Sequence, residues 1–148
     1  MRAIIPVAGF GSRLRPHTYT LPKVLLNVAG KPIIGHILDK VIEDGFNEAT
    51  IIVGYLGEKI RDYINSHYSI KVDFIEQLEP KGLAHAIYLA RSTFSTEPIL
   101  IILGDTIFDV NLKPVIKSTY SSIGVKSVED PRRFGVVELH RDFVKQMI

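Results

Sequence analysis

Cysteine and tryptophan are both absent from this chain. Without cysteine there are no disulfides, no thiolate zinc sites and no cysteine nucleophile. Strong charge of either sign is also missing. Eighteen Lys and Arg stand against 16 Asp and Glu, a formal net charge of +2, and the basic residues are dispersed rather than clustered with aromatics, so nucleic acid is not the expected partner. No apolar run reaches the ~18 residues of a membrane span. Met1-Arg2 leads straight into an apolar stretch without a signal-peptide pattern, which makes the cytoplasm the default compartment and a membrane partner unexpected. His17, His36, His67, His85 and His140 share no metal-ligand spacing and read as surface or individually satisfied residues. What remains, 46% hydrophobic and 23% charged over 148 residues, is the composition of a soluble globular protein. It is one domain of ordinary size, able to bury roughly two thirds of its unfolded surface.

The informative stretch lies near the N-terminus. An apolar run, residues 3–7, ends in Ala8-Gly9-Phe10-Gly11-Ser12-Arg13, the pattern of a buried strand feeding a glycine-containing turn. Glycines let backbone N–H groups come close to one anion, Ser12 adds a hydroxyl, and Arg13 adds a planar cation suited to bidentate phosphate contact. Ten residues on, Lys23 follows Pro22, whose fixed φ restrains the approach to the lysine. Two familiar phosphate loops do not fit. The dinucleotide fingerprint needs a glycine where Leu14 stands, and the P-loop's Gly-Lys-Ser/Thr is missing.

In chain order, residues 32–45 form an amphipathic helix with Ile33, Ile34, Ile37, Leu38, Val41 and Ile42 on one face, proline at its start and glycine at its end. A strand is expected at 49–53, a helix at 58–67 with Ile60, Tyr63 and Ile64 inward, an alternating strand at 70–75, and a helix at 82–94. Residues 99–103, apolar throughout, read as a central parallel strand. Beyond Asp105 the expectations are a helix at 112–120, strands at 123–128 and 135–139, and an alternating stretch at 143–148. The alternation of strands and helices predicts an α/β layered sheet with its ligand crevice outside the carboxyl ends of the strands. Residues 8–13, 76–82 and 104–105 all fall at strand ends and so should converge.

The pattern G-x-G-S-R-L-R-P, then Leu21-Pro22-Lys23, then Val28-Ala-Gly-Lys-Pro-Ile33, resembles the signature of the sugar-1-phosphate nucleotidyltransferases, or nucleotide-sugar pyrophosphorylases, at about ten positions over roughly thirty residues. The resemblance implies a three-layer Rossmann-like, GT-A-like fold with a mainly parallel mixed sheet, truncated at its C-terminal end. It implies transfer of a nucleoside monophosphate from dTTP or UTP to a sugar 1-phosphate, glucose 1-phosphate first, with release of pyrophosphate. Within that family Ala8, Gly9, Gly11 and Ser12 would bind the nucleotide, Arg13 would neutralise its phosphates, and Lys23 would hold the sugar phosphate. Arg15 is not assigned.

Asp105, ending the Leu-Gly-Asp stretch, would hold Mg²⁺, whereas Asp109 reads as a local cap. The family's second metal aspartate lies farther along than Ile148. Glu76-Gln-Leu-Glu-Pro-Lys-Gly-Leu-Ala-His-Ala86 resembles the base-recognition segment, with the Gln77 amide facing the O4 and N3–H edge of uracil or thymine and Gly82 allowing close approach. Gly135 would offer its backbone to a sugar hydroxyl. The loop is one residue shorter than the Ala-Gly-Gly-x-Gly-Thr-Arg form typical of thymidylyltransferases and looks more like that of uridylyltransferases, while the remainder resembles the thymidylyl group. A mannose-1-phosphate guanylyltransferase, a cytidylyltransferase and a non-catalytic regulatory module are the alternatives. The resemblance covers essentially the whole chain but only the front part of a catalytic domain, and the hydrophobic last residue is in keeping with a fragment. Relatives often form oligomers, but no residue here identifies an interface.

Overall fold

The computed structural model describes residues 1–94 and 96–148. They divide into two compact units, Met1–Lys117 and Ser118–Ile148.

The first unit is built on strand β1, Arg2–Pro6, whose three central residues are fully buried. After the glycine loop and a small hairpin, β2 (Asn27–Val28) with β3 (Lys31–Pro32), the chain enters helix α1, Ile33–Glu43. Then come β4 (Glu48–Val53), α2 (Gly57–His67), β5 (Lys71–Glu76), α3 (Leu83–Leu89, continued by a 3-10 turn Ala90–Thr93), β6 (Ile99–Ile101) and the single turn α4 (Lys113–Ile116). The sheet order is β5-β4-β1-β6, with every neighbouring pair parallel.

Side-chain alternation along β1 and β4 sends apolar residues to both faces, and both faces are covered. Ala3, Ile5, Val7, Ala49, Ile51 and Val53 pack under α1 and α2, through Ile34, Leu38, Ile60 and Ile64 among others. Ile4 and Ile52 pack on the opposite face against Ala86 and Ala90 of α3 and its extension. Three layers result, and near-continuous apolar runs are what a doubly covered parallel sheet requires.

Several expectations need correction. Residues 99–103 do not form a central strand: β6 pairs only with β1, no strand lies on its other side among the described residues, and Ile101 and Leu103 are over 40% exposed. Ile42 is 43% exposed, because the covered face of α1 runs through Ile34, Ile37, Leu38 and Val41 and the helix ends one residue later. β5 shows no inside–outside alternation: it is the other edge of the sheet, and its four central residues are all half-buried. The helix foreseen at 112–120 stops at Ile116, as Ser118, Thr119 and Tyr120 are weak helix formers. Just before it, Asn111 Oδ1 accepts from the Lys113 N–H at 3.0 Å, while the N-cap position, Leu112, has no side-chain cap.

The second unit is the antiparallel hairpin β7 (Val137–His140) and β8 (Phe143–Met147) with the irregular segment before it. The strand foreseen at 123–128 does not form. Those residues are exposed and make no ladder, and apolar content without a pairing partner does not hold a strand.

Candidate active site

The order of the sheet decides where a site can lie. From β1 the chain steps outward to β4 and β5, then returns to place β6 on the other flank of β1. The two crossovers leave a crevice beyond the carboxyl ends of β1 and β6, the switch point at which open α/β sheets bind ligands. A cleft of about 490 Å³ lies there, walled by Gly9, Gly11, Ser12 and Arg13 on one side and by Gly104 and Asp105 on the other, with Lys23 and Leu83 also lining it.

The loop after β1 is held by few contacts. Gly11 has φ +61°, and Thr18, itself buried, donates its hydroxyl to the Gly11 carbonyl at 2.9 Å. A Cβ on Gly11 would fall 3.0 Å from Thr18 and 3.2 Å from the Lys23 side chain, so conformation and space both call for glycine. Backbone bonds from Leu14 to Gly11 and from Arg15 to Ser12 close a short 3-10 turn. Among the described residues the N–H groups of Gly9 to Arg13 have no backbone acceptor. Arg13 is exposed and has no ion-pair or hydrogen-bond partner among them. Free amides and a free guanidinium are what an incoming polyphosphate requires.

Lys23 opens a 3-10 turn, Lys23–Leu25, anchored by the buried Val24 and Leu25. Its Nζ donates to Asp105 Oδ2 at 2.6 Å, with the two side chains 32% and 50% exposed. Thus the predicted phosphate-holding cation and the predicted metal carboxylate are brought together across 82 residues of sequence. Asp105 can reach this position because Gly104 packs on the end of β1: its N–H bonds the Pro6 carbonyl at 3.2 Å, and a Cβ there would lie 2.8 Å from that same oxygen. Gly104, expected only to share a converging strand end with Asp105, and Thr18, which sequence reading missed, are supporting residues. A glycine before the strand-end aspartate was the only available signal for the first, and none marked the second.

The segment expected to recognise the base forms a closed turn. The Gln77 N–H extends the ladder to the Val53 carbonyl at 2.9 Å, and its side-chain Nε2 donates to the Gly82 carbonyl at 3.1 Å. Gly82, at φ +92°, precedes α3 as expected, and the next residue, Leu83, lines the cleft. Gln77 and Gly82 therefore meet each other at the flank of the cleft rather than on its wall. His85 also joins them: its Nδ1 lies 3.1 Å from Gln77 Nε2. Gly135 belongs to the second unit, before β7, where nothing lies near the position of a Cβ. Ala8 is half-buried and Ser12 exposed at the two ends of the loop.

Comparisons with known proteins agree with this architecture. The chain is 45% identical over 139 residues to the bifunctional protein GlmU of Methanocaldococcus jannaschii, covering 94% of this chain and 33% of that protein. It is 37% identical over 118 residues to the UTP–glucose-1-phosphate uridylyltransferase AglF of Haloferax volcanii, covering 79% of this chain and 48% of the relative. The structure superposes with a TM-score of 0.88 and 28% identity on a candidate glucose-1-phosphate thymidylyltransferase from Bacillus anthracis in complex with a sucrose, across 99% of this chain and 63% of that one. The chain thus spans between a third and two thirds of the length of these proteins. Residues 2–147 match the family described as nucleotidyl transferase, and the chain belongs to that family.

Proposed function

We propose that this chain carries the nucleotide-binding and phosphate-clamping half of an enzyme that transfers a nucleoside monophosphate from UTP or dTTP to a sugar 1-phosphate, glucose 1-phosphate first, releasing pyrophosphate. The observation that carries the reading is the cleft at the β1–β6 switch point, in which Arg13, unpaired among the described residues, and the Lys23–Asp105 pair stand against the open glycine loop. The names of the uridylyltransferase and thymidylyltransferase relatives support a pyrimidine nucleotide.

The chemistry asks little of a general base. The attacking oxygen of a sugar phosphate is already anionic near neutral pH, and the difficulty is repulsion between it and the triphosphate, about 4 kcal/mol per pair of unit charges near 4 Å at an effective dielectric of 20. Cations and positioning therefore do the catalytic work. In this reading the loop amides and Arg13 hold the triphosphate, and Arg13 offsets the charge that develops on the leaving pyrophosphate. Lys23 holds the sugar phosphate in line with the α-phosphorus.

Asp105 fits a Mg²⁺ ion as one hard oxygen donor. That ion takes one or two carboxylates and fills its shell with water and phosphate oxygens, and no group of three metal-ligating side chains occurs among the described residues. When bound, the ion would neutralise phosphate oxygens of the nucleotide. It would also compete with Lys23 for the Asp105 carboxylate.

The test is pyrophosphate release on mixing the protein with Mg²⁺, glucose 1-phosphate and each of UTP, dTTP, GTP, CTP and ATP, beside nucleotide-binding calorimetry on the same sample. Preferential binding of UTP or dTTP is expected. Equal binding of all five, or preference for GTP, would defeat the pyrimidine reading.

A further inference from the structure

Gln77 has one amide and, within reach of its nitrogen, two acceptors. Which end of that amide is which follows from chemistry. The Gly82 carbonyl cannot donate, so the Gln77 atom 3.1 Å from it must be Nε2. The same Nε2 lies 3.1 Å from His85 Nδ1. An NH₂ group cannot accept, so Nδ1 is the unprotonated nitrogen and the imidazole carries its proton on Nε2. Both amide protons are then committed to the protein, and Oε1 is the group left for a ligand. The Gly82 carbonyl is itself saturated, since it also accepts from the Ala86 N–H at 3.2 Å as the first bond of α3.

We infer that His85 is a specificity-determining positioning residue, which holds the Gln77 amide so that it offers a ligand an acceptor only. The inference rests on the proposed reading of Gln77 as the base-contacting residue and narrows it: Gln77 does not donate to O4, but accepts from a ring N–H. Uracil and thymine carry that donor at N3. Cytosine has a bare acceptor there, and Oε1 facing it is an unfavourable pairing of two acceptors. Without the Nδ1 acceptor the Gly82 carbonyl still holds one amide proton, but the second loses its partner and becomes available for a ligand, which suits cytosine.

His85 is half-exposed on α3, so its replacement opens no core cavity. The experiment is calorimetric binding of UTP and CTP by wild-type protein, His85→Ala, His85→Asn and Gln77→Ala. Asn places a side-chain oxygen where Nδ1 stands and can restore the acceptor. His85→Ala is expected to cut the UTP-over-CTP preference about tenfold, His85→Asn to recover most of it, and Gln77→Ala to abolish it. If Gln77→Ala abolishes the preference while His85→Ala keeps the wild-type value, the positioning role of His85 is overturned and the base reading stands. If Gln77→Ala leaves the preference unchanged, the base reading fails and this inference with it. Failure of His85→Asn to recover what His85→Ala loses would show that bulk rather than the acceptor matters, and would also overturn the proposal.

Discussion

The two ends of the parallel sheet carry similar charges in opposite states of satisfaction. At the amino ends of the strands, Arg2 donates to Thr50 Oγ1 at 2.9 Å, to Glu48 at 2.9 Å and to Asp73, while Lys71 donates to the other Glu48 oxygen at 2.9 Å. Each charge there has its counter-charge, and the Arg2 side chain is only 12% exposed. At the carboxyl ends Arg13 is unpaired among the described residues, Lys23 and Asp105 satisfy only each other, and all three line a concave surface. A saturated cluster ties strands together. An unsaturated one in a cleft keeps its binding capacity, and the topology puts that cleft where ligands bind.

Removing charge at each end should therefore have opposite consequences. Arg13→Ala should weaken UTP or dTTP binding about 100-fold, since a charge-assisted phosphate contact is lost, and leave the thermal midpoint within about 1 °C. Calorimetry and a melting scan on one preparation check both halves, and a large fall in melting temperature would erase the contrast. Gly104→Ala acts on the frame instead. A methyl facing the Pro6 carbonyl, which cannot yield like a flexible side chain, should cost about 2 kcal/mol in urea unfolding and also displace Asp105.

Arg2→Ala should cost about 1 kcal/mol, discounted because Asp73 is 41% exposed, with nucleotide affinity unchanged within about twofold. Altered affinity would mean that the two ends communicate. The smallest effect concerns acid. Hydrogen bonds from Lys71 and then Arg2 hold the Glu48 carboxyl below its ordinary range, while burial works the other way. A carboxylate lowered on folding stabilises the fold above its unfolded value, and that contribution is lost as pH falls through the folded value. Urea midpoints measured between pH 6 and 3 should decline less steeply for Glu48→Gln than for the wild type.

How much of this was legible beforehand varies with the kind of information each element uses. Helices α1 and α2 and strands β1 and β4 follow from periodicity, because one covered stripe or two covered faces leave a distinct spacing of apolar residues. The run at 99–103 carries the apolar pattern of a central strand, yet β6 stands at an edge. The pattern reports what a strand is able to bury, and its neighbours decide what it does bury. Residues 123–128 make the same point, since a strand exists only in a ladder. Arg13, Lys23 and Asp105 of the cleft, and Gln77 and Gly82 at its flank, are recognisable by motif. The Gln77–His85 bond was not, as a histidine one turn into a helix has no spacing that points back to a glutamine before it.

From its sequence alone this protein was determined to be an α/β layered chain of the nucleotidyl transferase kind, with its glycine loop, its cations and its carboxylate identified. Those features are local: they depend on short-range periodicity and on residue types whose chemistry is the same in any setting. Only the tertiary structure decided that Lys23 meets Asp105, that Gly104 must lack a side chain for them to do so, and that the Gln77 amide nitrogen lies between the Gly82 carbonyl and His85. Each of these depends on atoms far apart in the chain or on the direction of a proton, and parallel crossovers bring such groups together without leaving any mark in the residues between them.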